Sequence, residues 1–120
     1  MTTPEPTMNL QGRRDADRKL SELRREARKD FERHARAQAD AERDYRKAMA
    51  ASFAIAKSEG LSDKRAETEA KGQTADLRHK RDLAHALARS ALLRIQELER
   101  DAVSVRDLHA TSERIDGLTA

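Results

Sequence analysis

The chain has 120 residues, of which 39% are charged and only 2% aromatic, so a globular core of normal size is excluded. Its formal charge of +3 is small beside 25 basic and 22 acidic side chains, so the overall balance gives little support to nucleic-acid binding. Good helix formers dominate and strand formers are scarce, which predicts an all-α protein built from long, coiled-coil-like helices. Intrinsic disorder is the competing interpretation, but the apolar residues recur at helical spacing.

Cysteine is absent, which excludes a disulfide framework, a thiol nucleophile and a cysteine-based zinc site. No run of apolar residues approaches the roughly 20 that are needed to cross a bilayer. The first nine residues also lack the basic and apolar regions of a signal peptide. We therefore expect no membrane association and a cytoplasmic location.

Residues 1–12, with Pro4, Pro6 and Gly12, are predicted to form a flexible N-terminal tail. Neither proline nor glycine occurs from there to Gly60, so a first helix is predicted over 13–59. Its apolar stripe recurs in steps of three and four residues, as a helix–helix seam requires. The stripe comprises Leu20, Leu23, Ala27, Phe31, His34, Gln38, Ala41, Tyr45, Ala48, Ser52 and Ile55.

The turn is predicted at residues 60–62. Gly60 can take the left-handed conformation that ends a helix, and Leu61 can supply the apolar contact of a Schellman motif. Ser62 is expected to cap the second helix, and Asp63 favours the positive end of its dipole. A connection this short makes the two helices antiparallel.

The second helix is predicted over 63–115, with a fray or kink at Gly72, and the hairpin as a whole spans 13–116. Gly117 is expected to end it, which leaves a C-terminal tail at 117–120. The second stripe comprises Ala66, Ala70, Gln73, Leu77, Ala84, Leu87, Ala91, Ile95, Leu98, Ala102, Val105 and His109. Folding back at Gly60 pairs residues whose numbers add up to about 121, which sets large side chains opposite small ones.

A hairpin of two helices buries only one stripe on each, and that burial is small against the conformational entropy of some 100 ordered residues. We therefore expect the long antiparallel hairpin to assemble with other copies into a four-helix or larger bundle. The apolar stripe of the second helix broadens between residues 83 and 98. The expected interface comprises Leu83, Leu87, Ala91, Leu92 and Leu93.

No arrangement typical of catalysis occurs in the sequence. The four histidines lack the spacing of a helical metal site, and neither a phosphate-binding loop nor a serine nucleophile elbow is present. We therefore expect no catalytic, cofactor-binding or metal-binding residues, and no enzyme activity. Residues 13–36 are mildly basic, with ten basic and six acidic side chains. An alternative function is weak, non-specific DNA binding through Arg13, Arg14, Arg18, Arg24, Arg25 and Arg28.

The segments AKSEGLSDKR (56–65) and RIQELERDAVSVRDLHATSER (94–114), with the alternating alanine and charged stretch between them, resemble small charged helical-hairpin proteins of tailed bacteriophages. Those proteins are encoded in early gene clusters beside recombination and replication functions. The resemblance implies an accessory role in phage DNA metabolism, performed in the host cytoplasm by protein–protein contacts. A virion assembly or scaffolding protein, which would also be helical and charged, is a further alternative.

Overall fold

A computed structural model describes residues 10–119, without the side chains of Val105, His109, Ser112 and residues 116–119. The described residues form three helices and no strand: α1 (Leu10–Ser58), α2 (Asp63–Gln73) and α3 (Ala75–Thr119). The all-α prediction is therefore confirmed for this part of the chain. Helix α1 begins three residues before the predicted start, so only residues 1–9 of the expected tail lie outside the described residues. Helix α3 continues through residues 117–119, which were expected to be a tail.

The chain divides into two compact units, which share α1 and α3. The turn unit comprises Asp30–Leu92, and the terminal unit comprises Met1–Lys29 with Leu93–Ala120. In the turn unit, Gln38 contacts His85 at 2.6 Å, and the Thr74 hydroxyl contacts the Met49 sulfur at 3.0 Å. The residue numbers of each pair add up to 123. The helices of this unit are therefore antiparallel, two residues away from the predicted register.

The terminal unit also joins an early part of α1 to a late part of α3. Glu99 on α3 accepts hydrogen bonds from Arg24, at 2.7 and 2.8 Å, and from Arg28, at 3.1 Å. Leu98 and Ala102 lie on the same side of α3 as Glu99 and are buried, as is Ala27 on α1. The terminal unit is thus held by a small apolar contact with one charged cluster at its edge.

The buried apolar residues of the described chain are small. They are seven alanines and a single leucine: Ala27, Ala41, Ala56, Ala66, Ala70, Ala88, Ala102 and Leu98. Alanine lets two helix backbones approach closely, but each one removes little apolar area from water. Larger apolar side chains are left outside, including Ile55 at 59% exposure and Leu83 at 53%. Small residues thus fill most of the contact between the two helix stripes, while larger apolar side chains remain exposed to solvent.

The turn has the predicted chemistry. Gly60 has a φ of +87°, and its N–H donates to the Lys57 carbonyl at 3.0 Å. The Leu61 N–H donates to the Ala56 carbonyl at 3.2 Å, which completes the Schellman motif. The Ser62 hydroxyl accepts from the Arg65 N–H at 3.3 Å and so caps α2. Because one helix stops and the next begins within four residues, the chain reverses at this point.

The second predicted helix is interrupted at Thr74, which lies between α2 and α3. The predicted irregularity was at Gly72, two residues earlier. Thr74 is 2% exposed, and its hydroxyl donates to the Ala70 carbonyl at 2.7 Å. A hydroxyl that bonds back to the preceding turn competes with the backbone for that carbonyl and bends helices. The Thr74 N–H also donates to the Ala70 carbonyl, at 3.1 Å, so the break lies at a buried threonine whose N–H and hydroxyl share one carbonyl, and not at Gly72.

Candidate interaction surface

The turn unit has two long faces, one on each side of the contact between α1 and the α2–α3 arm. One face is a shallow groove lined by Phe31, Gln38, His85, Ala88, Arg89 and Leu92. The Arg81 guanidinium extends the same face, because it lies 4.4 Å from the centre of the Tyr45 ring and 3.6 Å from Glu42. We call this the Phe31 groove. Polar and apolar groups alternate along it, and two pairs of its polar groups, Gln38 with His85 and Arg81 with Glu42, already bond to each other.

The opposite face of the turn unit contains Leu83 and Leu87, which are 53% and 44% exposed. At about 100° per residue along a helix, these leucines lie on the side of the buried Ala88 that is turned away from His85 and Leu92. The corresponding side of α1 contains Ala37 and Ala48. We call this the Leu83 face. Two adjacent exposed leucines, spaced one helical turn apart, are the large apolar side chains that α3 contributes to it.

The structure does not bring the five expected interface residues together on one surface. Leu83 and Leu87 lie on one side of the buried stripe of α3, and Leu92 lies on the other side, in the Phe31 groove. Leu93 lies about 140° around the helix from Ala88, on the side of Leu92, and Ala91 lies within the stripe, half-buried. The broad stripe in the sequence therefore corresponds to apolar residues distributed around the helix. Whether these residues mediate assembly stays a prediction.

The predicted stripes are confirmed at most positions and wrong at three. Ile55, Gln73 and Leu87 are exposed, whereas the buried positions beside them are Ala56, Thr74 and Ala88. Val105 and His109 lie outside the described side chains, so these two positions of the stripe stay predictions. Two charged residues that border the contact, Arg81 and Glu99, were not predicted from the sequence. The predicted stripe steps seven residues, from Leu77 to Ala84. Because a helical stripe recurs every three or four residues, this gap could have indicated Arg81 as the position between them.

The six arginines proposed for nucleic-acid contact do not form one basic surface. Arg24 and Arg28 both bond to Glu99, and Arg18 lies 3.5 Å from Asp15. Arg14 and Arg25 are exposed and lie on the same side of α1 as Arg18. Arg13 is half-buried and takes part in an interaction of its own. Part of the basic charge predicted for DNA is thus already compensated within the protein.

Hydrogen bonds from Arg24 lower the pKa of Glu99 below its ordinary value, with Arg28 adding to the effect, although partial desolvation opposes it. At the turn, the Lys57 ammonium lies 2.7 Å from the Asp63 carboxylate and lowers its pKa. Both carboxylates stay ionised at neutral pH and act as structural ion pairs. Neither has the raised pKa that a general acid requires.

Within the described residues, no group of three histidine, aspartate or glutamate side chains is arranged to hold a metal ion. No helix in this part of the chain is long and apolar enough to cross a membrane. Two further shallow pockets lie beside the turn, one of them lined by Ser52, Ile55, Ala56, Glu59, Glu69 and Gln73. That pocket combines two carboxylates with an exposed isoleucine. The features that the described chain offers are therefore long faces rather than an enclosed cavity.

Comparison of the chain with protein-family models, with curated protein sequences and with solved structures finds no match.

Proposed function

We propose that the protein is a non-enzymatic, self-associating adaptor of phage origin that acts as an accessory factor of DNA recombination or replication. The observation that supports it most directly is the distribution of apolar side chains. Among the described side chains, seven alanines fill most of the buried contact, while ten larger apolar side chains are exposed. Among them Leu83 and Leu87 are adjacent, one helical turn apart, and adjacent exposed apolar side chains are typical of protein–protein contact. The chain thus presents surfaces that other proteins could cover.

The phage origin and the link to DNA metabolism rest on the sequence resemblance of residues 56–65 and 94–114. The distribution of charge supports a protein partner over direct DNA binding. Glu99 holds two of the six candidate arginines, Arg24 and Arg28, at the edge of the terminal unit. A protein acting on DNA through another protein does not require those guanidinium groups to be available.

The test is capture of partners from phage-infected cells by the tagged chain. We expect a recombinase or a single-strand-binding protein to be retained at physiological salt and to be identified by mass spectrometry. The matched variant is Leu92→Glu with Phe53→Glu, which places charges on two exposed apolar positions and leaves the buried alanines unchanged. It is expected to retain less of the partner, because the proposed contact is made by exposed apolar side chains. Co-purification with capsid protein instead would replace the adaptor function by a scaffolding one. Capture that is unaffected by nuclease treatment is expected, since the contact is between proteins.

A further inference from the structure

Helix α3 has a second stripe beside its buried one. Lys80, Leu83, Leu87 and Ser90 recur in steps of three, four and three residues, which is the spacing of a helix–helix seam. Its four residues lie between about 80° and 160° around the helix from Ala88, the buried alanine of α3 in this unit. A helix in a four-helix bundle contacts two neighbours in about these two directions. The position of the leucines thus fits a second helix that the single hairpin does not supply.

The side of α1 that lies on the Leu83 face has a complementary composition. Ala37, Asp44, Ala48 and Ile55 lie about 60–100° from the buried stripe of α1, again on the side away from the Phe31 groove. Ala37 and Ala48 are thus small side chains on α1, on the face where α3 contributes two leucines. Large side chains fill the space between helices best when they face small ones. The stripe of α3 therefore fits α1 better than it fits another α3.

We propose that a second copy of this chain docks on the Leu83 face, with α3 of each copy against α1 of the other, as a two-fold dimer whose axis is parallel to the helices. This inference rests on the self-association in the proposed function and specifies its surface. Rotation about such an axis leaves the height of every residue along the helices unchanged. The pairing rule of the turn unit, in which residue numbers add up to 123, therefore also applies between copies. Leu83 then lies level with residue 40, between Ala37 and Asp44 of the second copy.

The same rule brings opposite charges together. Lys80 falls level with residue 43, so its ammonium group lies beside Asp44 of the other copy. Within the described residues Asp44 has one ion-pair partner, Arg43, at 3.8 Å, and the side chain of Asp44 is 50% exposed. Its carboxylate is therefore available to a second cation. Each dimer contains this contact twice. The charges on the face are therefore complementary to those on the same face of a second copy.

The test uses two charge reversals that separate contacts between copies from contacts within one copy. Lys80→Asp places two carboxylates opposite each other twice in a dimer, and Asp44→Lys does the same with two ammonium groups. Each variant alone is expected to dimerise roughly tenfold more weakly than the unmodified chain in sedimentation equilibrium. An equimolar mixture is expected to recover the original affinity, because both contacts in the mixed dimer are again between opposite charges. Native mass spectrometry identifies the mixed dimer by its mass.

Leu83→Glu and Leu93→Glu form the matched pair for the apolar part of the face. The first is expected to give a monomer and the second to leave the dimer intact, because Leu93 lies on the other side of Ala88, the side of His85 and Leu92. Circular dichroism checks that each variant keeps its helix content. A dimer that both charge variants leave unchanged, or a mixture no tighter than the single variants, overturns this arrangement but leaves self-association standing. A chain that is monomeric at every concentration overturns both, whereas the adaptor function is decided separately by partner capture.

Discussion

Replacement of glycine is expected to have opposite effects on stability at the two glycines of the turn unit, because their backbone conformations differ. Gly60 has a φ of +87°, whereas Gly72 lies inside α2 without a positive φ, and an added Cβ would meet no atom within 4 Å at either position. Steric contacts with neighbours therefore do not decide either substitution. What decides is the left-handed conformation at Gly60, which costs a residue with a Cβ roughly 1–2 kcal/mol.

We predict that Gly60→Ala lowers the free energy of unfolding by roughly 1–2 kcal/mol. Gly72→Ala should raise it by up to about 1 kcal/mol, since alanine is the better helix former. Urea denaturation followed by circular dichroism measures both. Equal effects of the two substitutions would contradict the turn geometry described above.

Glu99 is the one described side chain on which two arginines converge across the helix contact. Its lowered pKa means that the ion pairs stabilise the fold above the ordinary pKa of a glutamate, and that this stability is lost as pH falls through the lowered value. The effect is moderated by solvent, because the Glu99 side chain is 40% exposed. Stability of the terminal unit should therefore depend on pH in the acidic range.

We predict that Glu99→Gln lowers the melting temperature at pH 7 and that the difference from the unmodified chain disappears as the solution becomes more acidic. Thermal unfolding between pH 7 and pH 3 measures this difference. The control is Glu97→Gln, because Glu97 is 61% exposed and its carboxylate lies 3.7 Å from Arg94 on the same helix. A loss at pH 7 that persists unchanged in acid would show that the carboxylate charge is not responsible.

The pairing of helices depends on alanines at the contact, which determine how closely the backbones approach. Ala88 is 4% exposed and lies on α3 near the end of the turn unit that is far from Gly60. A leucine there adds three carbon atoms beside the opposite helix, so either the helices separate or the side chain is forced towards the Phe31 groove. Ala86, two residues earlier, is exposed on the same helix and offers a comparison at equal helix propensity.

We predict that Ala88→Leu destabilises the protein by roughly 1–3 kcal/mol, the usual cost of adding carbon atoms to a packed core. Ala86→Leu should change stability by about 0.5 kcal/mol or less, as exposed substitutions do. Chemical denaturation of the two variants under the same conditions provides the comparison. Stabilisation by Ala88→Leu would mean that the helices lie farther apart than the structure places them.

For the whole molecule, the structure limits the DNA-binding alternative quantitatively. Three of the candidate arginines, Arg14, Arg18 and Arg25, share one side of α1, whereas Arg24 and Arg28 are bonded to Glu99. Three phosphate contacts would give a slope of log affinity against log salt of about −3 on duplex DNA. Binding this weak falls off rapidly towards physiological salt.

We predict no sequence-specific DNA binding by the isolated protein, and at most micromolar, salt-sensitive association. Fluorescence anisotropy with a labelled duplex across a salt series measures the slope. The matched variants are Arg14→Ala with Arg25→Ala, which should abolish residual binding, and Arg24→Ala with Arg28→Ala, which should not. A complex that persists at 0.3 M salt and depends on Arg24 and Arg28 would put direct DNA binding ahead of the adaptor function.

The sequence by itself determined the helices, the position of the turn and its hydrogen-bonding chemistry. These features depend on groups within about five residues of one another: Gly60 and its left-handed φ, the Ser62 hydroxyl and the Arg65 N–H, and the regular recurrence of apolar side chains. Such local interactions are encoded in the order of residues, so they can be predicted without a partner segment. Most positions of both stripes were predicted correctly for the same reason.

The tertiary structure alone decided the register, the break at Thr74 and the separation of the expected interface into different surfaces. A shift of two residues in pairing depends on how alanines such as Ala41 and Ala88 fit against the opposite helix, which no local pattern records. The contacts between Arg24 and Glu99 and between Gln38 and His85 join residues 75 and 47 positions apart. Side chains that distant meet only after both helices have packed, so their roles depend on the packed geometry rather than on spacing along the chain.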